Sequence, residues 1–316
     1  MRHACCLAAF LALAAPAAAQ DARPVWKEFD RLNRPLWHIQ TTETQQTMKV
    51  QGQETVQKQV QTFIIKLTPR RKGGNSWEVE YEIVAVKLSI DIGGNKIEYD
   101  SEAGNMAGGP LTDYFTALLN CKLTLKLTNH PLDGLKVKEA DGLEAMVKKL
   151  GENNPQLKAQ LEATLNKETF EAALAWPAGA FAQTDDEWKR GSWTRSSVMN
   201  LGGIGKYDTT YTYTRDKGDP AKVGVKAEVK YSAPRRGGDA GLPFKIVKAD
   251  LRSDHSGGNV TLDPENGRIA EATLKMGLKG TLTIDIAGQE TQVELAQTQM
   301  TTLRTTETDP LRKRKN

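Results

Sequence analysis

The side chains able to carry chemistry are few and poorly spaced for it. Past the N-terminal segment the histidines are His38, His130 and His255, and the remaining cysteine is Cys121. A zinc site draws on paired histidines or cysteines a few residues apart. None of these four has such a neighbour, so no metal, no cofactor and no disulfide is expected. Asp254-His255-Ser256 holds the residue types of a catalytic triad, but neighbours on a strand face opposite sides. With Gly257-Gly258 following, a hairpin tip is expected there. Leu201-Gly202-Gly203-Ile204-Gly205-Lys206 has the outline of a phosphate loop. Tyr207 stands where that motif needs serine or threonine, and a strand follows in place of the helix whose N-terminus would bind phosphate. Asp185-Asp186-Glu187 lacks the alternating spacing of calcium loops and reads as a solvated acidic turn. Tyr207, Tyr211 and Tyr213 share a strand face; such a ladder suits stacking on a glycan or lipid, or ordinary cross-strand pairing, the simpler reading. Cys121 opens an alternating run and reads as a small buried hydrophobe. No carboxylate pair stands out for glycoside hydrolysis. These residues predict a protein that is not an enzyme.

Charge excludes another class. The chain has 43 Lys and Arg against 39 Asp and Glu, for a net charge of +4 over 316 residues. The two signs are interspersed, which marks a solvated surface and not a nucleic-acid footprint. The exception is Arg312-Lys313-Arg314-Lys315, read as a frayed, solubilising tail. At the other end, Met1-Arg2-His3 precedes an apolar run from Ala4 to Ala15, and Ala17-Ala18-Ala19 forms an A-x-A site. That is the layout of a secretory signal peptide cut after Ala19, too short for a membrane span of about 20 residues. Cys5 and Cys6 precede the apolar run, so lipidation is not expected. No further apolar run is long enough for a transmembrane helix, and export to the periplasm or the extracellular space is predicted.

The elements that must position any site are mostly strands. Strict alternation marks 77–83, 122–128, 223–231 and the long run 270–286, each with one apolar and one polar face. That pattern belongs to antiparallel sheet. A straight strand over 270–286 would reach about 55 Å, and Gly280 sits on its apolar phase, so a bend is expected there. The apolar phase switches after Ile83 and again after Ile246, which predicts bulges near Val84 and Val247. Ile90-Asp91-Ile92-Gly93-Gly94-Asn95 and Ile284-Asp285-Ile286-Ala287-Gly288-Gln289 are near copies, and Gly52-Gln53-Glu54-Thr55 matches Gly288-Gln289-Glu290-Thr291. They are tight hairpins, alike through an old duplication or through shared turn chemistry. The Gln- and Thr-rich runs 40–62 and 289–308 read as exposed strands open to edge pairing.

One block is helical. Leu111 to Asn120 suggests a short helix. From Asp141 to Trp176, Asp141, Asn154 and Asn166 are candidate caps for three more, carrying Leu143, Met146 and Leu150, then Leu157, Leu161 and Leu165, then Phe170, Leu174 and Trp176. Pro177 closes the third, and 177–191 reads as an acidic, mobile loop. The predicted fold is mainly β, a long curved antiparallel sheet of half-barrel or barrel-like form with a helical insert on its concave face. The predicted organisation is a signal peptide over 1–19, one β-rich domain over 24–307 with the insert at about 111–176, and a basic disordered tail over 308–316.

Several segments carry a family resemblance: Met48–Lys58, Ile90–Asp100, Asn154-Pro155-Gln156, Gly191-Ser192-Trp193-Thr194-Arg195, Gly205–Tyr211, Gly241-Leu242-Pro243-Phe244-Lys245 and Gly288–Gln299. Together they resemble an uncharacterised family of exported proteins typical of planctomycete-type bacteria, a domain of unknown function. The resemblance spans nearly all of the chain past the signal segment and implies export and a single large domain, with no catalytic residue to transfer. At the level of fold alone, the predicted sheet is similar to the half-barrel carriers that move lipoproteins across the periplasm.

The function that follows is a periplasmic binding or carrier module for an apolar or amphipathic ligand, with Phe115, Leu118, Met146, Leu150, Leu161, Phe170 and Trp176 as candidate cavity residues. The alternative partner is an envelope protein, met through the exposed Gln/Thr strands. An enzyme would need a cluster of polar groups that the linear sequence does not reveal. An outer-membrane barrel has no place for the helical block and lacks aromatic girdles.

Overall fold

The computed structural model describes residues 22–103, 110–119, 121–130, 134–152, 158, 161–162, 165–200, 205–234 and 245–312. Strands dominate. β1 (Leu36–Val50), β2 (Gln53–Gly73), β3 (Ser76–Ile92), β4 (Asn95–Asp100), β5 (Lys122–His130) and β6 (Gly134–Asp141) form one half of the sheet. β7 (Ser192–Asn200), β8 (Lys206–Arg215), β9 (Lys222–Ser232), β10 (Lys245–Ser253), β11 (Gly257–Asp263), β12 (Arg268–Ile286) and β13 (Gln289–Thr306) form the other. The order is β6-β5-β3-β2-β1-β13-β12-β10-β9-β8-β7, all antiparallel, with β4 on β3 and β11 between β12 and β9.

The Gln/Thr-rich strands are not edges. β1 pairs with β2 on one side and β13 on the other, from Trp37 against Thr306 to Val50 against Val293. Strand-forming threonines and amide side chains thus occupy the middle of the sheet, and the expectation of free edges there is corrected. Both predicted bulges are present. Ile64 faces Ala85 while Ile65 faces Ile83, leaving Val84 as the extra residue; Ile246 faces Ile284 while Lys248 faces Thr283, leaving Val247. The first bulge turns Val84 onto the convex face, where it packs with Trp37, Ile64, Ala85 and Leu311. It also lets the two halves of β3 serve different partners, β5 before the bulge and β4 after it. At Gly280, where a bend is expected, φ is 149° and the missing side chain leaves room for the Asp250 carbonyl, while the pairing with β13 runs on in register.

β10 and β11 run in one direction along β12, so Asp254-His255-Ser256 is a bulge within a nearly continuous strand and not the expected hairpin tip. The Asp254 N–H donates to the Gly277 carbonyl, and the Gly277 N–H donates to the Ser256 Oγ. His255 is thrown outward at φ 43°.

Turn chemistry explains the repeated hairpin sequences. Gln51-Gly52, Gly93-Gly94 and Ala287-Gly288 all have both central residues at positive φ, the geometry that matches strand twist in a two-residue hairpin. Asp91 Oδ1 accepts from the Gly94 N–H at 2.8 Å, and Asp285 Oδ1 accepts from the Gly288 N–H at 2.7 Å.

The helices are α1 (Pro110–Leu119), α2 (Leu143–Gly151), α3 (Lys167–Ala178) and α4 (Asp185–Arg190). Asn166 caps α3, accepting from the Thr169 N–H as its sequence predicts. Asp141 does not cap α2: it ends β6 and pairs with Lys126, and Gly142, at φ 90°, makes the turn. The expected helix from Asn154 lies mostly outside the described residues; Lys158, Leu161 and Glu162 within it are helical. Pro177 lies inside α3, which ends one residue later.

The expectation of a mobile acidic loop over 177–191 is also corrected. Ala180, Phe181, Ala182 and Trp188 are buried there, and Thr184 caps α4 by accepting from the Glu187 N–H. Alanines and glycine let this segment fit close to the aromatic core, a signal the acidic residues beside them obscure.

α3 packs on both terminal strands, β6 and β7, so the curled sheet has a seam filled by a helix. Glu171 accepts from the β6 edge at the Val137 N–H, 3.0 Å, and from Lys136 Nζ. On the other side, Tyr213 Oη donates to the Trp176 carbonyl and Trp193 Nε1 to the Gly179 carbonyl, at 2.5 and 2.8 Å. A covered edge cannot recruit a further strand.

Residues 22–35 stopper one end. Trp26 meets Trp77 edge-on at 4.9 Å and Phe29 at 5.3 Å. The Lys27 N–H donates to the Gly267 carbonyl, and Arg23 donates to Ala182 and Asp185. The core lies between this stopper, the concave face and α3.

Candidate functional site

Between the helical block and the first half of the sheet is a cavity of about 360 Å³. The sheet supplies Phe63 and Ile65 from β2, Tyr81 and Ile83 from β3, and Leu303 from β13. The helices supply Tyr114 and Leu118 from α1, Met146 from α2, and Phe170, Ala173 and Leu174 from α3. Tyr81 meets Phe170 edge to face at 5.3 Å across the space. Alternation on β2 and β3 aims every second side chain inward, and the one-sided helices return the apolar surface.

Of the seven residues the sequence nominates, Leu118, Met146 and Phe170 line this cavity. Phe115 is buried and stacks on Tyr99 at 4.9 Å. Leu161 is buried, as is Trp176, whose carbonyl serves the seam. The side chain of Leu150 lies outside the described residues. Helical periodicity nominates whole faces and does not say which turn meets a void.

A polar strip crosses the cavity wall: His38 and Gln40 on β1, and Gln61 on β2. His38 Nε2 lies 2.6 Å from Glu28 Oε1, and both side chains are buried, at 7% and 4% exposure. Glu28 comes from the N-terminal stopper and fronts a second hollow of about 200 Å³ on the far side. The pair therefore stands as a partition with His38 facing the apolar cavity. Sequence reasoning missed it, though a signal exists: His38 and Gln40 continue the phase of buried Leu36, so polar groups stand where the pattern wants apolar ones.

The remaining chemistry-bearing groups have structural work. Burial pushes the Cys121 thiol up, against a smaller opposing pull from Lys149, so it enters the cavity wall as a neutral group. Burial likewise raises the Tyr81 and Tyr114 hydroxyls. Tyr211 is pushed up to about 12 by burial, burial also raises Tyr213 well above its ordinary value, and Tyr207 meets its cross-strand partner Tyr231 at 5.8 Å. The tyrosine ladder is thus mostly packed, bordering a small hollow of about 70 Å³. Asp185 and Glu187 pair with Arg23 and Arg195. His130 is exposed at the end of β5. In the phosphate-loop-like stretch, 201–204 lie outside the described residues, and Lys206 pairs with Asp208. Among the described residues, no group of three His, Cys, Asp or Glu side chains could hold a metal ion. No helix among them is long and apolar enough to cross a membrane.

Fold and site together define a class: a curled antiparallel sheet sealed by a helix, with an inward-facing, mainly apolar cavity. Residues 74–292 match the model of a family of unknown function, DUF6263, and the chain belongs to that family. No curated protein matches it in sequence. Among solved structures it is similar to lipovitellin, described for its lipid–protein interactions, at TM-score 0.46 and 10% identity over 88% of this chain. The chain spans 26% of the lipovitellin chain. DynF of the dynemicin pathway of Micromonospora chersina is similar at TM-score 0.25 and 8% identity, covering 89% of this chain and 82% of DynF. A DUF1329 family protein from Desulfovibrio piger is similar at TM-score 0.13 and 7% identity, covering 87% and 92%. Likeness at these scores carries no function across.

Proposed function

We propose that this protein is an exported, non-enzymatic binding or carrier module for an apolar or amphipathic ligand. The observation that supports it is the cavity of about 360 Å³ between helices and sheet, within the range of small-molecule sites, roughly 300–1,000 Å³. Its walls are chiefly Phe, Leu, Ile, Met and Tyr, with His38, Gln40 and Gln61 forming a polar strip on the sheet side. Such a wall suits a lipid-like chain, because burying apolar ligand surface is favourable at about 25 cal/mol per Å². The envelope-interaction reading loses its motive, since the Gln/Thr strands are paired on both sides.

Native mass spectrometry of protein recovered from the exported fraction tests the reading. A co-purifying small molecule, released by organic solvent and exchangeable for an added alkyl probe, is the expected result. Protein that carries nothing in repeated preparations and takes up no alkyl probe would refute it. N-terminal sequencing of the same material is expected to begin at Gln20, after signal-peptide cleavage.

A further inference from the structure

The His38–Glu28 pair is not needed to seal the core, and an apolar pair of similar volume would do that at no loss. Its geometry is one-sided. Nε2 is committed to Glu28 at 2.6 Å, the short distance of a charge-assisted N–H···O bond. A carboxylate accepts only, so this bond places a proton on Nε2. In the neutral ring that leaves Nδ1 as a bare acceptor. Nδ1 is not among the fully buried, unpaired side-chain polar atoms of the described residues, which are Trp26 Nε1, Tyr99 Oη, Arg195 Nε and Thr305 Oγ1. His38 bonds no other described side chain, and it lines the cavity. Gln40, two residues along the same strand face, and Gln61 add amides that both donate and accept.

We propose that this strip is the head-group subsite of the cavity, and that it selects an amphiphile with a hydroxyl head. The inference rests on the cavity being a ligand site. A hydroxyl donates a hydrogen bond to His38 Nδ1 and accepts one from a glutamine amide, using both functions at once. A carboxylate head is disfavoured, because it brings a second negative charge toward Glu28 and has no proton for Nδ1. A head that only accepts, such as an ether, leaves the Nδ1 lone pair unmatched, and an unmatched buried polar group is costly.

The test is calorimetric titration of delipidated full-length mature protein with decan-1-ol, its methyl ether and sodium decanoate. These share a chain length and differ at the head. Decanol is expected to bind about tenfold tighter than the ether, the scale of one hydrogen bond. The ratio should fall to near one in the double variant Glu28→Leu/His38→Phe, which removes both partners and leaves no buried charge alone. If that variant does not fold, the wild-type ranking of the three probes decides. Ether equal to alcohol, or decanoate tightest, overturns the head-group assignment while leaving the cavity a ligand site. No binding by any of the three overturns the cavity reading and this inference with it.

Discussion

Glu187 and Arg195 form the most enclosed ion pair between the seam strands and α4. Arg195 Nη2 lies 2.8 Å from Glu187 Oε2, Nη1 lies 2.9 Å from Oε1, and Nη1 also donates to the Thr194 carbonyl. Burial alone would raise the Glu187 carboxyl, but the guanidinium and the backbone N–H groups of Gln183 and Thr184 outweigh it and hold the carboxyl below its ordinary range. The sign of the pH effect follows. In acid the unfolded chain takes up this proton before the folded one does, so the stabilisation is complete above the unfolded value and fades as pH falls through the folded one. Thermal melts of Glu187→Gln are therefore expected to show a lower melting temperature at neutral pH and a shallower decline below about pH 4 than the parent. Equal acid slopes would contradict it. Truncation to Glu187→Ala strands the buried Arg195 charge and is expected to cost about 3 kcal/mol in denaturant unfolding. The sequence marks both residues as charged but sets them eight positions apart across a turn, so their meeting is not legible from the order of residues.

At the scale of elements, local pattern carried far. The phase changes after Ile83 and Ile246 reappear as the Val84 and Val247 bulges, because a bulge is by nature a slip of the two-residue period. Asn166 and the paired positive-φ turns were equally readable, since each depends on neighbours in the chain. The failures share a cause as well. Asp254-His255-Ser256 resembles a hairpin tip because a bulge and a turn use the same residues, and only β12 running past both flanks separates them. The seam is another case. Glu171 looks like an ordinary helix-surface acid, yet its carboxylate accepts from the Val137 N–H of the terminal strand β6. Glu171→Ala is expected to destabilise the fold by about 1–3 kcal/mol and to speed amide exchange at Val137. Glu171→Gln keeps an acceptor and should lose less; no change at Val137 in either variant would show that another group caps the edge.

For the molecule as a whole, the decisive feature is that the terminal strands β6 and β7 do not pair with each other among the described residues, and α3 packs on both. A helix bridging the edge strands leaves room under the concave face, where direct pairing of β6 with β7 would draw the walls together. Ala173 is exposed and borders that room. Ala173→Phe is expected to fill part of it without opening a hole elsewhere. Uptake of decan-1-ol should weaken at least tenfold while the melting temperature stays within a few degrees, the span of about 1 kcal/mol in a chain this long. Unchanged uptake would place the ligand elsewhere.

What the residue order determined by itself was local: the strand phases, the bulges, the hairpin turns and the cap at Asn166. Each rests on interactions within a few positions, where propensity and period act directly. Tertiary structure alone decided that the Gln/Thr strands lie at the centre of the sheet, that α3 fills the seam, and that Leu118, Met146 and Phe170 face the cavity while Phe115, Leu161 and Trp176 pack away from it. It alone joined Glu28 to His38 across the cavity wall. These depend on how far a twisted sheet curls before its edges meet other chain. That is set by packing summed over side chains distant in sequence, and no local window holds it.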